Sequence, residues 1–427
     1  MYILYSFILF ITLCFYIPVY FVRYRVMKGE SLHLRERLGL CIPKKKSCDK
    51  ALWLHAVSVG EVLSLQNLAK RIKAKHPNWV IYFSSLTISG LRIAVDKLND
   101  VDKIFYIPFD FNFIVKKYFK KIKPDIFVLV ESEFWPNLLR SAKKYTKGVL
   151  LINGRISKKS HSMYSKIKFI VKKVLENIDI FLVQTDLDKK RLEDIGINGD
   201  KLVVAGNLKA EIELPKLSEK QVKEMKDDLF IPADVKVVMA GSTRKGEEEK
   251  LLNAFAKALE QRDDLALIIA PRHPERTDEI IKICKGLMLP VIKRTRLKKE
   301  DKWKVLILNT IGELSSFYSV VDAAFIGGSL IPWGGQNFLE PAFYGKPVFF
   351  GPHMDNFAYL AEFFISRGAA KAINCENDLL KMFLFKGENN LRKMGDSAKE
   401  TLVSLQGVTD RIMKVIEDFM NASELRE

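Results

Sequence analysis

Three acidic residues and one glycine-rich stretch carry the residue types from which group-transfer chemistry is built. HAVSVGE puts Gly60 and Glu61 where an apolar run gives way to a helical pattern. The glycine permits a tight turn, and Glu61 in the first helical turn is favoured by the helix dipole by roughly 0.3–1 kcal/mol. That position also suits a glutamate that only starts a helix. VESEFWPNLL places Glu131 and Glu133 after the apolar run DIFVLV, with Pro136 at a first helical position. At i, i+2 spacing in extended chain both carboxylates project to one side. Like charges that close require a raised pKa or a neighbouring cation. Arg140 and the Arg155 of NGRIS are the cations at hand.

The second half of the chain reads as a nucleotide site. AGSTRKGEEE is a strand, a Gly-Ser-Thr turn and a helix with an acidic start. The main-chain N–H groups of that start, with the hydroxyls of Ser242 and Thr243, suit a phosphate. The spacing matches neither a Walker A loop nor GxGxxG, so a dinucleotide is not indicated. APRHPER puts Arg272 and His273 at the end of the next strand. In IGGSLIPWGGQNFLEPAFYGKPVFFGPHMDNF, Gly327 and Gly328 end a strand and Gly334 and Gly335 make a second turn. Asn337 can cap a helix carrying Glu340 in its first turn and closed by Gly345. Closely set glycines let main chain approach a ligand. An ionised glutamate such as Glu340 can accept both hydrogen bonds of a ribose cis-diol.

These residues need strands and helices to hold them. From Ala51 onward short runs rich in Val, Ile and Phe alternate with amphipathic stretches such as Glu61 to His76. ALWLHAVS, WVIYFSSL, KIFYIPF, DIFVLVE, GVLLIN and DIFLVQ read as strands of a parallel sheet covered on both faces. After the Lys- and Glu-rich stretch around Leu214 to Lys226 the pattern restarts with VKVVMAG, LALIIAP, KVLILN, DAAFIGG and KPVFFG. Two doubly wound α/β domains in series with a cleft between them are expected, with ligands at the carboxyl ends of strands. The helical patterns Leu379 to Phe385 and Ser397 to Phe419 can cover either sheet.

A length of 427 residues supports two domains, and a hydrophobic share of 48% with 28% charged residues excludes disorder and disulfide miniproteins. Five scattered cysteines, none in a CxxC pair, indicate reduced thiols and no zinc site. The 69 Lys and Arg against 51 Asp and Glu leave a formal charge of +18, which favours an anionic partner. No nucleic-acid-binding module or stacking signature is present, so that partner is not read as nucleic acid. Tyr2 to Val22 contains no charged residue and is just long enough to span a hydrocarbon core. Arg23, Arg25 and Lys28 follow, so by the positive-inside rule the body stays in the cytoplasm. The segment lacks the basic start and cleavage site of a signal peptide and reads as a membrane anchor.

Taken together, the chain resembles the 3-deoxy-D-manno-oct-2-ulosonic acid (Kdo) transferases of lipopolysaccharide synthesis. The resemblance rests on the N-terminal anchor, HAVSVGE, ESEFWPNLL, NGRIS, GNLK (Gly206 to Lys209), GSTRKGEEE, PRHPER and GGSLIPWGGQNFLEP, in family order. It implies a GT-B fold of two Rossmann-like domains: an anchor over 1–26, an acceptor domain over 27–213 and a CMP-sugar domain over 214–427. It implies CMP-Kdo as donor, a bisphosphorylated lipid A precursor as acceptor, the cytoplasmic face of the inner membrane, and no essential metal or cofactor. Glu61 matches the family's base and Glu131 its second essential acidic residue. Ser242, Thr243, Arg272, His273, Gly334, Gly335, Asn337 and Glu340 fall around the CMP moiety. Arg155, Lys158 and Lys159, within a run of basic residues from Arg140 to Lys173, are expected to face the acceptor's phosphates and anionic lipid. Gln336 stands where many members carry histidine, which removes any protonated role there. A nucleotide-sugar epimerase is the competing enzyme class, and it would need neither lipid acceptor nor anchor.

Overall fold

The computed structural model describes residues 1–20, 33–44, 50–385 and 388–421. They divide into two units, Met1–Glu211 with Gln406–Glu427, and Ile212–Leu405. Each is built on a seven-stranded sheet whose neighbouring strands all pair parallel.

The first sheet comprises β1 (Ala51–His55), β2 (Val80–Ser85), β3 (Lys103–Tyr106), β4 (Ile126–Val130), β5 (Gly148–Gly154), β6 (Ile180–Val183) and β7 (Leu202–Val204). Their spatial order is β3-β2-β1-β4-β5-β6-β7. Side chains alternate across the sheet, so β1 feeds two cores. Trp53 packs on one face with Tyr82, Phe119 and Phe127. Leu52 and Leu54 pack on the other with Ile81, Phe83 and Val128. Both faces are covered, which is why these strands read as near-continuous apolar runs.

The second sheet comprises β8 (Lys236–Thr243), β9 (Leu265–Pro271), β10 (Val291–Lys293), β11 (Val305–Ile307), β12 (Ala323–Ile326), β13 (Val348–Phe350) and β14 (Ala370–Ala372). Their order is β10-β11-β9-β8-β12-β13-β14. Val238 and Ala240 face one core, Val237 and Met239 the other. In each sheet the strand order reverses once near the middle, between β1 and β4 and between β8 and β12. Connections leave such a point in opposite directions and open a crevice at the strands' carboxyl ends.

One expectation is corrected. The last helix, Val408–Asn421, belongs to the first unit rather than to a domain of residues 214–427. Its Ile412, Met413, Ile416 and Met420 are buried against Leu52, Leu54 and Val128. Phe419 lies so close over Gly148 that a Cβ there would come within 2.5 Å of its ring.

The N-terminal segment forms helix α1 (Tyr2–Tyr20), and among the described residues no helix is long and apolar enough to cross a membrane. One stripe of α1 lies against the first unit: Ser6 Oγ accepts from Asn137 Nδ2 at 3.1 Å, Tyr5 hydrogen-bonds Asp110, and the Arg140 guanidinium sits 4.6 Å from the Tyr2 ring centroid. Val22, Arg23, Arg25 and Lys28, on which the span and its orientation depended, lie outside the described residues, as does Cys48.

Candidate active site

The reversal point of the first sheet brings its acidic residues together. β1 ends at His55, and Ser58 caps the helix Val59–Ser64 with Glu61 in its first turn. Ser58 Oγ accepts from the Glu61 N–H at 3.3 Å, and the Glu61 carboxylate accepts from the N–H groups of Ser58 (3.2 Å) and Val57 (2.9 Å). This is a capping box. It fixes a nearly buried carboxylate, 6% exposed, while leaving each oxygen a further acceptor position. Glu61 thus starts a helix and holds its carboxylate in one fixed position.

β4 ends at Val130, and Glu131 follows with φ at 60°. A left-handed backbone at a glutamate costs about 1–3 kcal/mol and persists where surrounding bonds impose it. Here the Glu131 N–H donates to Ile152 O at 3.0 Å, and Asn153 Nδ2 donates to its carboxylate at 3.4 Å. Burial, then the neighbouring Glu61, push the Glu131 carboxyl upward, against the Lys209 and Arg155 cations. Glu133 is raised by burial and by Glu61 and Glu131, while the Trp135 indole donates to it at 3.1 Å and pulls it back. Arg140 is not the partner of this cluster, since it is turned onto Tyr2.

The cation beside Glu131 comes from GNLK. Leu208 N–H donates to Asn153 Oδ1, Gln184 Nε2 to Asn153 O and Asn207 Nδ2 to Gln184 Oε1, each at 3.0 Å. These bonds string residues 206–209 across the ends of β5 and β6. Lys209 Nζ then stands 4.0 Å from Glu131. Lys158 and Lys159 are exposed on the first turn of the helix Lys158–Lys166 and do not join the cluster.

The second unit repeats the placement at β8 and β12. The expected helix start at Ser242–Thr243 is displaced, because β8 runs on through Thr243 and pairs it with Pro271. The helix begins at Glu248. Thr243 is fully buried, and among the described residues its hydroxyl has no hydrogen-bond partner; Ser242 is half-buried with φ at 55°.

Glu247 organises this turn. Its fully buried carboxylate accepts from the N–H groups of Arg244 (2.9 Å), Gly328 (2.6 Å), Ser329 (2.9 Å) and Leu330 (2.9 Å). Successive main-chain N–H groups of this kind form a nest for an anion. Here the anion is an internal side chain, so the Gly327–Gly328 loop is braced rather than open to phosphate. Burial raises the Glu247 carboxyl and the four N–H groups lower it.

Gly334 and Gly335 have φ of 83° and 73°, and a Cβ on either would collide with Asn356 or Met354. The second glycine pair is tied to the first, Gly335 N–H to Gly328 O at 2.8 Å and Gln336 N–H to Gly327 O at 3.1 Å. Asn337 Oδ1 accepts from Leu339 N–H at 3.1 Å at the start of the helix Leu339–Phe343, and its Nδ2 donates to Glu340 at 3.0 Å. Burial raises the Glu340 carboxyl, and the Asn337 bond opposes it. Arg272 is exposed beyond β9, anchored by its N–H to Thr243 O at 2.9 Å. His273 is exposed beside Glu275, and the inward arginine of PRHPER is Arg276, paired with buried Glu248 at 2.8 Å.

Residues 32–212 match the sequence family described as 3-deoxy-D-manno-octulosonic-acid transferase (kdotransferase). A 3-deoxy-D-manno-octulosonic acid transferase of Rickettsia prowazekii is 31% identical over 379 residues, 86% of this chain and 80% of that one. The chain belongs to the Kdo transferase family.

Members of that family are glycosyltransferases. The Haemophilus influenzae Kdo transferase is 26% identical over 391 residues, 91% of each chain. A bifunctional glycosyltransferase/methyltransferase of Fusobacterium nucleatum is 36% identical over 349 residues, and the chain spans 53% of that relative's length. Among solved structures, a glycosyltransferase from Rickettsia africae has a TM-score of 0.56 at 14% identity, covering 87% of this chain and 98% of that one. A UDP-GlcNAc 2-epimerase from Neisseria meningitidis bound to UDP-GlcNAc has a TM-score of 0.56 at 13% identity, covering 86% and 100%. These likenesses establish the α/β fold class, which transferases and epimerases share, while the sequence relatives decide the family.

Four residues with structural roles in the Kdo-transferase units were given none from sequence: Asn153, Lys209, Glu247 and Arg276. All lie inside motifs already quoted, NGRIS, GNLK, GSTRKGEEE and PRHPER. Their side-chain directions depend on contacts with strands distant in sequence.

Proposed function

We propose that this chain transfers Kdo from CMP-Kdo to a hydroxyl of a bisphosphorylated lipid A precursor, at the cytoplasmic face of the inner membrane. The observation that carries the reading is the Glu61 carboxylate, fixed by two main-chain N–H groups at the first sheet's reversal point beside Glu131 and Glu133. An alcohol is a poor nucleophile at neutral pH, and a placed carboxylate contributes about 10²–10⁴-fold by taking its proton. Glu61 removes the proton from the acceptor hydroxyl as its oxygen bonds to the anomeric carbon of Kdo. The bond from that carbon to the phosphate oxygen breaks on the opposite side, the electron pair leaves with CMP, and configuration inverts.

Lys209, close to Glu131, offers a cation for an acceptor phosphate or for orienting the carboxylates. In the second unit Glu340, held by Asn337, takes the ribose hydroxyls, and Arg272 with Ser242 takes the departing phosphate charge. The +18 charge and the outward apolar face of α1, where Ile3, Leu4, Phe7, Phe10 and Phe15 are exposed, support attachment to anionic lipid.

The test is an assay of the full chain with CMP-Kdo, with and without the lipid precursor, with products weighed by mass spectrometry. Lipid-dependent CMP release and a lipid heavier by Kdo units are expected. CMP release or sugar isomerisation indifferent to the lipid would contradict the proposal. Activity should survive EDTA, and a strong loss restored by metal would contradict the metal-free account.

A further inference from the structure

α1 does not lie flush on the first unit. Between its Leu9, Leu13 and Ile17 and the loops after β2 and β3 lies a cavity of about 580 Å³, within the roughly 300–1,000 Å³ of ligand pockets. Across from α1 the wall is Leu86 and Ile88 after β2, and Ile107 and Phe109 after β3. An apolar wall left facing water is a standing cost that a hydrocarbon occupant removes.

The wall also has a sign. Two guanidinium groups, Arg37 and Arg92, line it against one carboxylate, Asp110. The Asp110 carboxylate is taken up by the N–H groups of Asn137 (3.0 Å) and Leu138 (2.7 Å), and burial pushes its pKa up to about 6. Two lining residues reach into the carboxylate site itself. Trp135 lines the cavity and donates to Glu133. Thr87 lines it and donates at 2.7 Å to the carbonyl of Val57, the residue whose N–H holds Glu61.

We infer that this cavity takes one acyl chain of an amphipathic, anionic acceptor, whose hydroxyl-bearing head then sits at the Glu61–Glu131–Glu133 cluster and whose phosphate meets Arg92. The inference rests on the proposed transfer to a lipid and adds where that lipid's chain goes. On this account α1 is one wall of the acceptor site.

The experiment uses the full chain and a lipid A precursor carrying a diazirine near the end of one acyl chain. After irradiation the labelled residues are mapped by mass spectrometry, and Kdo transfer is measured on unirradiated sample. Labels at Leu9, Leu13, Ile88 and Ile107 are expected. Labels confined to Ile3, Phe7 and Phe10 on the outward face, with transfer intact, would overturn the cavity while leaving the transferase reading standing. Cavity labels without transfer would do the reverse. A diazirine phospholipid that labels the cavity in preference to the precursor would overturn the assignment to the acceptor.

A second arm narrows the cavity with Ile88→Trp at a half-buried position. KM for the acylated acceptor should rise roughly tenfold or more, with kcat retained. Transfer to a deacylated, water-soluble acceptor should not change, and an equal effect on both acceptors would overturn the inference.

Discussion

At the residue scale, Glu61 caps a helix and, in the proposed mechanism, takes a proton, and one substitution separates the two. A capping box accepts glutamine as well as glutamate. Glu61→Gln keeps one oxygen to accept from the Val57 or Ser58 N–H, turns an NH2 toward the other, and removes proton acceptance, so it costs one hydrogen bond along with the base. Glu247 offers no such separation. Replacing it by Ala leaves buried N–H groups of Gly328, Ser329 and Leu330 without a partner, at about 1–3 kcal/mol each. Glu247→Ala should lower thermal stability steeply and abolish CMP binding, and a variant with native melting behaviour and CMP affinity would refute the bracing role. His55, fully buried at the end of β1, gives a pH signature. Its Nδ1 bonds Ser84 O, Nε2 has no hydrogen-bond partner among the described residues, and burial lowers its pKa to about 4. The folded state thus binds this proton less readily than the unfolded chain, whose value is near 6.5. Stability from His55 is complete above about pH 6.5 and lost as pH falls toward 4, by about 3 kcal/mol in all. Urea titrations of wild type and His55→Gln across that range should show a smaller slope for the variant. Of the residue-scale picture, the placement of Glu61 and Glu131 at turns leaving strands, and of Asn337 and Glu340 at a helix start, was legible within the motifs. Thr243 and Glu247 were not, because one extra strand residue turns the hydroxyl inward and brings the carboxylate onto a loop some eighty residues away.

At the element scale, the apolar runs of five or more residues declared the central strands. The short edge strands β7, β10 and β14, three residues each, did not. A run that short carries no period to read, and its pairing comes from the neighbouring strand. The final helix was legible as a helix but not as a member of the first unit, since an amphipathic stripe does not name the sheet it covers. Its assignment is testable. Ile416, 1% exposed among Leu52, Leu54 and Val128, should cost about 2–5 kcal/mol as Ile416→Ala. The loss should fall on the unfolding step of the first unit and spare CMP binding. Lower CMP affinity with an unchanged first-unit transition would contradict the placement. The packing of α1 was hidden for a related reason. An uncharged stretch is apolar on every face, so composition does not reveal that a stripe of Tyr2, Tyr5, Ser6, Leu9 and Leu13 is laid on a domain.

At the scale of the whole molecule, the two units follow one rule. Each sheet reverses its strand order once, and polar residues gather at each reversal point: Glu61 and Glu131 after β1 and β4, Ser242 at the end of β8 and the Glu247-braced Gly327–Gly328 loop after β12. The strand sequence was visible in the alternation of apolar and amphipathic segments, whereas spatial order was not, because crossovers leave no mark on composition. The +18 charge fits an anionic lipid and an anionic donor, and salt should weaken vesicle binding accordingly. A salt-independent affinity for anionic vesicles would remove charge from the account. The central claim is that the Glu61 carboxylate, and not merely the helix it caps, performs the proton transfer. The most direct measurement is single-turnover Kdo transfer by Glu61→Gln alongside its CMP affinity and melting temperature. The account predicts transfer reduced by at least about a hundredfold with CMP affinity unchanged and only a modest fall in melting temperature. Transfer near the wild-type rate in that folded, CMP-binding variant would contradict it.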